Sequence, residues 1–398
     1  MREKKEYNSN LDGESGFASP MKESENAMLI GIPKETKNRE YRVGMTPESA
    51  DLMRRHGHHV IVQTGAGDGI GVNDNDYRKI GAKIAKNAKQ VFADADMIVK
   101  VKEPLAPERR MLRRGQILFT YLHLAADKTL TRELVKSGAV CIAYETVTDD
   151  AGRLPLLAPM SKVAGRLAAQ AAANYLQKST GGMGKLIGGV PGVLPAKIVI
   201  LGGGMVGRNA ARIALGMGAN TIVMDNNASV MDDITREFNG AVRTCHSSPG
   251  NLEREIANAD AVIGGILIAG AAAPKLITEK MIKSMSPGSV AVDVAIDQGG
   301  CIATAKPTTH DKPVFVKHGV VHYCVTNMPG AVPHTSTYAL NNVTAPLALY
   351  IADNGWQKAA AKNRHLQNGL SVVEGALTCE HSAHSLNMRH TPVANVLS

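Results

Sequence analysis

The chain has 398 residues, more than one ordinary hydrophobic core organises, so two domains are expected. Apolar residues reach 44% and aromatics only 4%, which suits buried parallel strands covered by helices and argues against an antiparallel sandwich. A net charge of +9 raises the question of nucleic acid, but the dense basic cluster Arg109, Arg110, Arg113 and Arg114 reads as the solvated face of a short helix, and no aromatic ladder accompanies it, so nucleic acid is excluded.

Residues 1–27 are polar and aperiodic, and are read as a disordered leader without an apolar signal segment. Leu29–Pro33 is the first apolar strand. Thr46, Pro47 and Glu48 then open a helix with a hydroxyl cap, a proline in the first turn and an acid at its positive end; Gly57 closes it. Further strands are expected at Val60–Val62, Met97–Val101, Ile117–Tyr121 and Val140–Tyr144. Repeated βα units of this kind imply a parallel, doubly wound sheet. Ser161 is expected to cap a helix reaching about Lys178, with Val163, Leu167 and Ala171 at helical spacing. The glycine-rich stretch 181–192 is a connection and not a phosphate cradle, because no strand leads into it. A second βα series runs from Lys197 to about Asn327, and a helix from Ser336 toward Asn354 is expected to kink at Pro346.

The clearest chemical signal opens that second series. Ile198-Val199-Ile200-Leu201 runs into Gly202-Gly203-Gly204-Met205-Val206-Gly207, a GxGxxG pattern placed after a strand and at the head of a helix. Gly202 permits the tight turn, Gly204 the approach of a pyrophosphate to the backbone, and Gly207 close packing of helix on strand. The helix amides and dipole favour the phosphate charge. The next strand, Thr221–Met224, ends in Asp225, placed to accept hydrogen bonds from both adenosine ribose hydroxyls and to repel a 2′-phosphate. Asn226 and Asn227 follow, with no arginine to welcome that phosphate, so NAD is expected over NADP.

Other polar groups fall at predicted strand ends, where doubly wound sheets form their ligand crevices. Asp297 follows the strand Val290–Ile296, Asn327 follows Val320–Val325, and Ile266-Leu267 closes the strand from Ala261. In the first half, Lys102 and His123 end neighbouring strands and Arg42 lies in the loop after the first. Arginine grips a carboxylate with two parallel bonds, lysine supplies a point charge for a keto oxygen, and histidine passes protons near neutral pH.

At these residues the sequence resembles the alanine dehydrogenase family. The similar stretches are Gly31-Ile32-Pro33-Lys34-Glu35 with Arg42, Lys100-Val101-Lys102-Glu103-Pro104, Thr120-Tyr121-Leu122-His123-Leu124, Tyr144-Glu145-Thr146, Pro159-Met160-Ser161, Val163-Ala164-Gly165-Arg166, Ala295-Ile296-Asp297-Gln298-Gly299-Gly300, and Asn327-Met328-Pro329 through Thr335-Ser336-Thr337-Tyr338. They span Met28 to about Ala376. Lys162, where a glutamate is expected, and His334, where arginine or lysine is usual, depart from the pattern.

The resemblance implies two doubly wound α/β domains. A Rossmann NAD-binding domain, 157–333, is inserted in a discontinuous substrate domain made of 28–156 and 334–398. It also implies oxidative deamination of L-alanine to pyruvate and ammonium, and the reverse. Arg42 and Lys102 would hold the substrate, and His123 and Asp297 would form the acid/base pair. The NAD-contacting set would be Ser161, Gly202, Gly204, Met205, Val206, Gly207, Asp225, Ser247, Ile266, Leu267, Val294, Ile296, Asp297, Asn327 and Met328. A homohexamer is the assembly it implies.

Five dispersed cysteines without a CxxC pair point to reduced thiols and a cytoplasmic address, and no metal-ligand set is assigned. The weakly polar run Ala261–Pro274 is too short to span a bilayer, so no membrane partner is expected. Two rival readings are the soluble nucleotide-binding arm of a proton-translocating transhydrogenase and an NAD-binding regulator without turnover. Lys102 and His123 speak against the first. The second should lack one of Arg42, Lys102, His123 or Asp297, and all four are present.

Overall fold

In the computed structural model, which describes residues 27–266 and 274–397, the apolar runs become strands. Six parallel strands come first: β1 (Leu29–Ile32), β2 (His59–Gln63), β3 (Lys83–Ala85), β4 (Met97–Val99), β5 (Ile117–Thr120) and β6 (Val140–Ala143). The second series gives β7 (Lys197–Leu201), β8 (Asn220–Asp225), β9 (Arg243–His246), β10 (Ala261–Gly264), β11 (Val290–Asp293), β12 (Val314–Lys317) and β13 (Val320–Tyr323). The chain then returns to the first sheet with β14 (Leu370–Val373) and β15 (Ala376–Leu377). The orders are β15-β14-β6-β5-β4-β1-β2-β3 and β12-β13-β11-β10-β7-β8-β9. Each sheet starts at its middle and winds outward both ways, leaving a topological switch point at β1/β4 and at β7/β10. The leader expected over residues 1–27, apart from residue 27, lies outside the described residues.

Both faces of each sheet are covered, which is why the strands read as unbroken apolar runs. Met97 and Val99 of β4 point into one core with Val60, Val62 and Phe119, while Ile98 points into the opposite one with Ile61 and Leu118. In the second sheet Ile198 and Ile200 divide from Val199 and Leu201 in the same way. Antiparallel β12, β14 and β15 were not anticipated. They add edges to sheets that are otherwise parallel.

Several expected boundaries are corrected, and the causes are visible. β4 stops at Val99, because Glu35 takes the amides of Val101 (2.7 Å) and Lys102 (3.3 Å). β11 stops at Asp293, whose carboxylate accepts from the amides of Ala295, Cys301 and Ile302 and so turns the chain three residues before Ile296. Ser161 caps nothing. The helix begins at Ala158, with Pro159 in its first turn, and runs to Tyr175. The other long helix, Pro333–Asn354, also has a proline in its first turn, and Pro346 does not interrupt it. Thr46 does cap its helix, accepting from the Ser49 amide, and Gly57 follows that helix with φ 86°.

Candidate active site

The glycine turn is built as its spacing demands. Gly202 has φ +90°, a conformation L side chains rarely adopt, and a Cβ on Gly207 would stand 1.8 Å from the Gly202 carbonyl oxygen. Gly204 differs, since a Cβ there would meet no atom within 4 Å. Its lack of a side chain therefore serves nothing inside the protein and leaves the backbone open to a ligand. Met205, partly exposed, begins the helix Met205–Gly216 directly after this turn, and the first-turn amides of a helix have no acceptor within it. That helix lies close on Ala158–Tyr175, where a Cβ on Gly165 would be 2.2 Å from the Val206 carbonyl oxygen.

Asp225 ends β8 beside the turn. Its carboxylate accepts from the Gly203 amide at 2.7 Å and the Asn227 amide at 2.9 Å, and the Ser247 amide donates to its carbonyl at 3.0 Å. A turn open to phosphates, a helix N-terminus and an acid fixed one strand away could hold a dinucleotide.

Below the turn lies a cleft lined by Ser161, Val206, Ile266, Val294, Asp297, Asn327 and Met328 among others. Seven positions expected to contact the cofactor thus line one cleft. Ile296 is buried beside it, and Leu267 lies outside the described residues. Asp297 sits in the single turn Ile296–Gln298 after β11.

The first sheet supplies the cations. Arg42 is almost fully buried, with Nε 2.7 Å and Nη2 2.5 Å from the two carboxylate oxygens of Glu40. Nη2 also donates to the Asn327 side-chain oxygen at 2.7 Å, and Nη1 to the Met160 sulfur at 3.1 Å. Lys102 is buried too, and its ammonium has no hydrogen-bond or salt-bridge partner among the described residues. Burial, and then Arg42, lower its pKa below the ordinary lysine value; Lys37 acts the same way, and Glu103 and Asp297 oppose it. Its backbone is pinned by Glu35 and by the Thr120 hydroxyl, which donates to its carbonyl at 3.0 Å.

His123 follows β5 in the left-handed region, φ 50°, with its amide donating to Glu145 at 2.6 Å and its ring stacked on Tyr121 at 5.9 Å. Asn327 has the same handedness, φ 61°. Such backbone is uncommon outside glycine and collects at functional sites, where surrounding contacts hold it. Sequence reading missed two carboxylates. Glu40 links Arg42 to Asn327, and Glu35 shapes the Lys102 loop while pairing, with Glu108, to the fully buried Lys100 at 3.1 and 2.8 Å. A lone glutamate in a loop carries no signal by itself; the charge density of Arg39-Glu40-Tyr41-Arg42 is the one hint present. Lys162 and His334, the two departures, are both exposed.

A glycine-turn sheet and a cation-bearing sheet, joined by hydrogen bonds from Asn327 to Arg42 and Glu40, define a two-domain α/β oxidoreductase of the dinucleotide-binding class. The family model "Alanine dehydrogenase/PNT, N-terminal domain" matches residues 31–164, and "Alanine dehydrogenase/PNT, C-terminal domain" matches 168–380. The chain belongs to the alanine dehydrogenase/PNT family. It is 51% identical to the alanine dehydrogenase of Mycolicibacterium smegmatis, covering 93% of this chain and all of that one. With the alanine dehydrogenase of Bacillus subtilis it shares 50% identity over 93% of this chain and 98% of the relative. A solved L-alanine dehydrogenase superposes with a TM-score of 0.87 at 44% identity, over 93% of this chain and 100% of that chain. A transhydrogenase from Sinorhizobium meliloti, at 24% identity and a TM-score of 0.75 over 88% of this chain and 98% of that one, shares the fold.

Proposed function

We propose that this protein carries out the reaction L-alanine + NAD⁺ + water → pyruvate + ammonium + NADH + H⁺, and its reverse. The observation that carries the reading is that Arg42, from the first sheet, bonds Asn327, and Lys102, without a side-chain partner among the described residues, feels the charge of Asp297, Asn327 and Asp297 both lining the cleft below the glycine turn. Residues 28–156 with 334–398 hold the substrate and 157–333 the dinucleotide. NAD is preferred to NADP because Asp225 repels a 2′-phosphate, and Arg208, whose side chain reaches the Gly203 carbonyl, is committed to Asp233 and Glu237.

When bound, the nicotinamide supplies the hydride acceptor and donor. The substrate carboxylate takes the Nη1 side of Arg42, where the thioether of Met160 is a weak and displaceable acceptor. Lys102 donates to the carboxylate and to the oxygen on Cα, stabilising the charge that develops as a carbonyl forms or is attacked. His123 and Asp297 take protons from the amine and from the water that adds to the imine carbon, and return them as ammonia leaves. Adding L-alanine and NAD to the protein should generate NADH absorbance, and pyruvate with ammonium should consume it. NADH formation that ignores alanine would sink the reading.

The lowered pKa of Lys102 sets the alkaline limb. Its ammonium binds an anion only while protonated, so affinity falls as pH rises through that pKa. The KM for pyruvate should therefore climb with pH before the ordinary lysine range of about 10.4 is reached. A pyruvate KM that stays flat up to that range would show that the lysine charge is not used in binding.

Among the described residues no helix is long and apolar enough to cross a membrane, and all five cysteines are free. Free thiols support the cytoplasmic address. Exposed Leu186, Val190, Val193 and Leu194, gathered on the glycine-rich loop, support assembly into a homo-oligomer, the hexamer of the family likeness.

A further inference from the structure

Arg42 comes from the first sheet's side of the cleft and Asn327 from the second, and a single carboxylate joins them. Glu40 is buried and bonded to Arg42 Nε, Nη2 and main-chain amide, the last at 3.1 Å, while its Oε2 accepts from the Asn327 amide nitrogen at 3.0 Å. Asn327 in turn accepts from Arg42 at 2.7 Å, which closes a three-membered ring of hydrogen bonds between the two sheets. Glu40 therefore occupies one whole side of the guanidinium fork and leaves the Nη1 side to face Met160, which lines the cleft.

We infer that Glu40 is a positioning residue: it fixes which side of the Arg42 fork meets the substrate carboxylate, and it couples that grip to the cofactor-side residue Asn327. The inference rests on the alanine/pyruvate reading and adds a residue that touches neither substrate nor cofactor. A free guanidinium presents its two-nitrogen edges indifferently, and a carboxylate could then dock at an angle unsuited to hydride transfer. With Glu40 in place only one docking direction remains, so the ordering cost is met before the substrate arrives. Because the ring includes Asn327, whose other neighbours line the cofactor cleft, a bound dinucleotide and a well-held Arg42 favour one another. By linkage that favour is mutual.

Glu40 does not act as a proton carrier. Burial works to raise its pKa, but the bonds and charge of Arg42 outweigh that and hold it at about 2, so it stays ionised across any working pH. Its removal should change affinity and leave the shape of the pH profile alone.

The test is Glu40→Gln, which keeps the size and removes the charge. Calorimetric titration of pyruvate into the NADH-loaded protein, without ammonium, should show affinity reduced about 10- to 100-fold, the loss of one charge-assisted bond. The KM for L-alanine should rise by a similar factor with a smaller change in kcat and an unmoved pH profile. NADH should raise pyruvate affinity less than it does in the unaltered protein. A purely structural role predicts the reverse, a lower Tm with kcat falling alongside the folded fraction and both KM and pyruvate affinity unchanged; that outcome overturns the inference. Should Glu40→Gln not fold, Glu40→Asp keeps the charge but is too short to span Arg42 and Asn327, and unchanged pyruvate affinity in that variant overturns it equally. Failure of the underlying reading looks different, since the unaltered protein itself would then show no alanine-dependent NADH.

Discussion

Replacing Lys102 with methionine is expected to leave the protein as stable as before, or more so, while turnover of L-alanine falls by about 10²- to 10³-fold. The two halves of that expectation come from the same fact. Lys102 is buried, its ammonium has no partner among the described residues, and burial and Arg42 push its pKa down. A basic group with a depressed folded-state pKa is held in its charged form less favourably by the native chain than by the unfolded one. At neutral pH it is a liability to folding, and the liability fades only as pH rises toward the ordinary lysine range. Methionine fills similar space without the charge, and no protein acceptor is orphaned by the exchange. A residue that costs stability and whose side chain has no partner among the described residues is retained for what it binds. Thermal unfolding and initial-rate kinetics on one preparation decide the matter. A fall in Tm with turnover intact would make Lys102 a structural lysine and remove it from the mechanism.

Lys100, two residues earlier, shows why the comparison matters. It is more deeply buried still, yet Glu35 and Glu108 both contact it and, against the effect of burial, raise its pKa. Similar residues on one strand end have opposite electrostatics, and nothing in Lys100-Val101-Lys102 distinguishes them. The difference lies in Glu35, 65 residues before Lys100 and brought to it only when β1 and β4 pair.

What was legible in the sequence follows the same line. Strands buried on both faces are continuous apolar runs, so β1, β2, β4 to β8, β10, β11 and β13 were readable where they lie, and the glycine turn was readable because its spacing is dictated by backbone contact. The strands Lys83–Ala85 and Arg243–His246 were missed because the first holds only two apolar residues and the second is mostly polar. Element ends were misjudged where a side chain captures the next amides, as Glu35 does after β4 and Asp293 after β11. Arg42 was expected as an open cationic grip, and its alignment by Glu40 and Asn327 could not be seen, since Asn327 stands 285 residues away.

The glycine turn makes the other large prediction, and it separates two reasons for having glycine. In Gly207→Ala the new Cβ would sit 1.8 Å from the Gly202 carbonyl oxygen, an overlap with backbone that only a shift of the turn or of the helix Met205–Gly216 can relieve. Overpacking of this kind costs about 1–3 kcal/mol or somewhat more, so Tm should drop. The displaced first-turn amides would also lose several charge-assisted bonds to phosphate, so NADH affinity should fall at least about 100-fold. In Gly204→Ala the Cβ meets no protein atom within 4 Å, and Gly204 has φ −74°, which alanine adopts freely. Its Tm should stay level, and NADH binding should still weaken, because the added methyl occupies the path along which a pyrophosphate reaches the backbone. Fluorescence titration with NADH beside thermal unfolding reads both variants. Gly204→Ala binding NADH as tightly as the unaltered protein would mean that the phosphates do not cross this turn, and the cleft below it would then lose its claim to the reactive end of the dinucleotide.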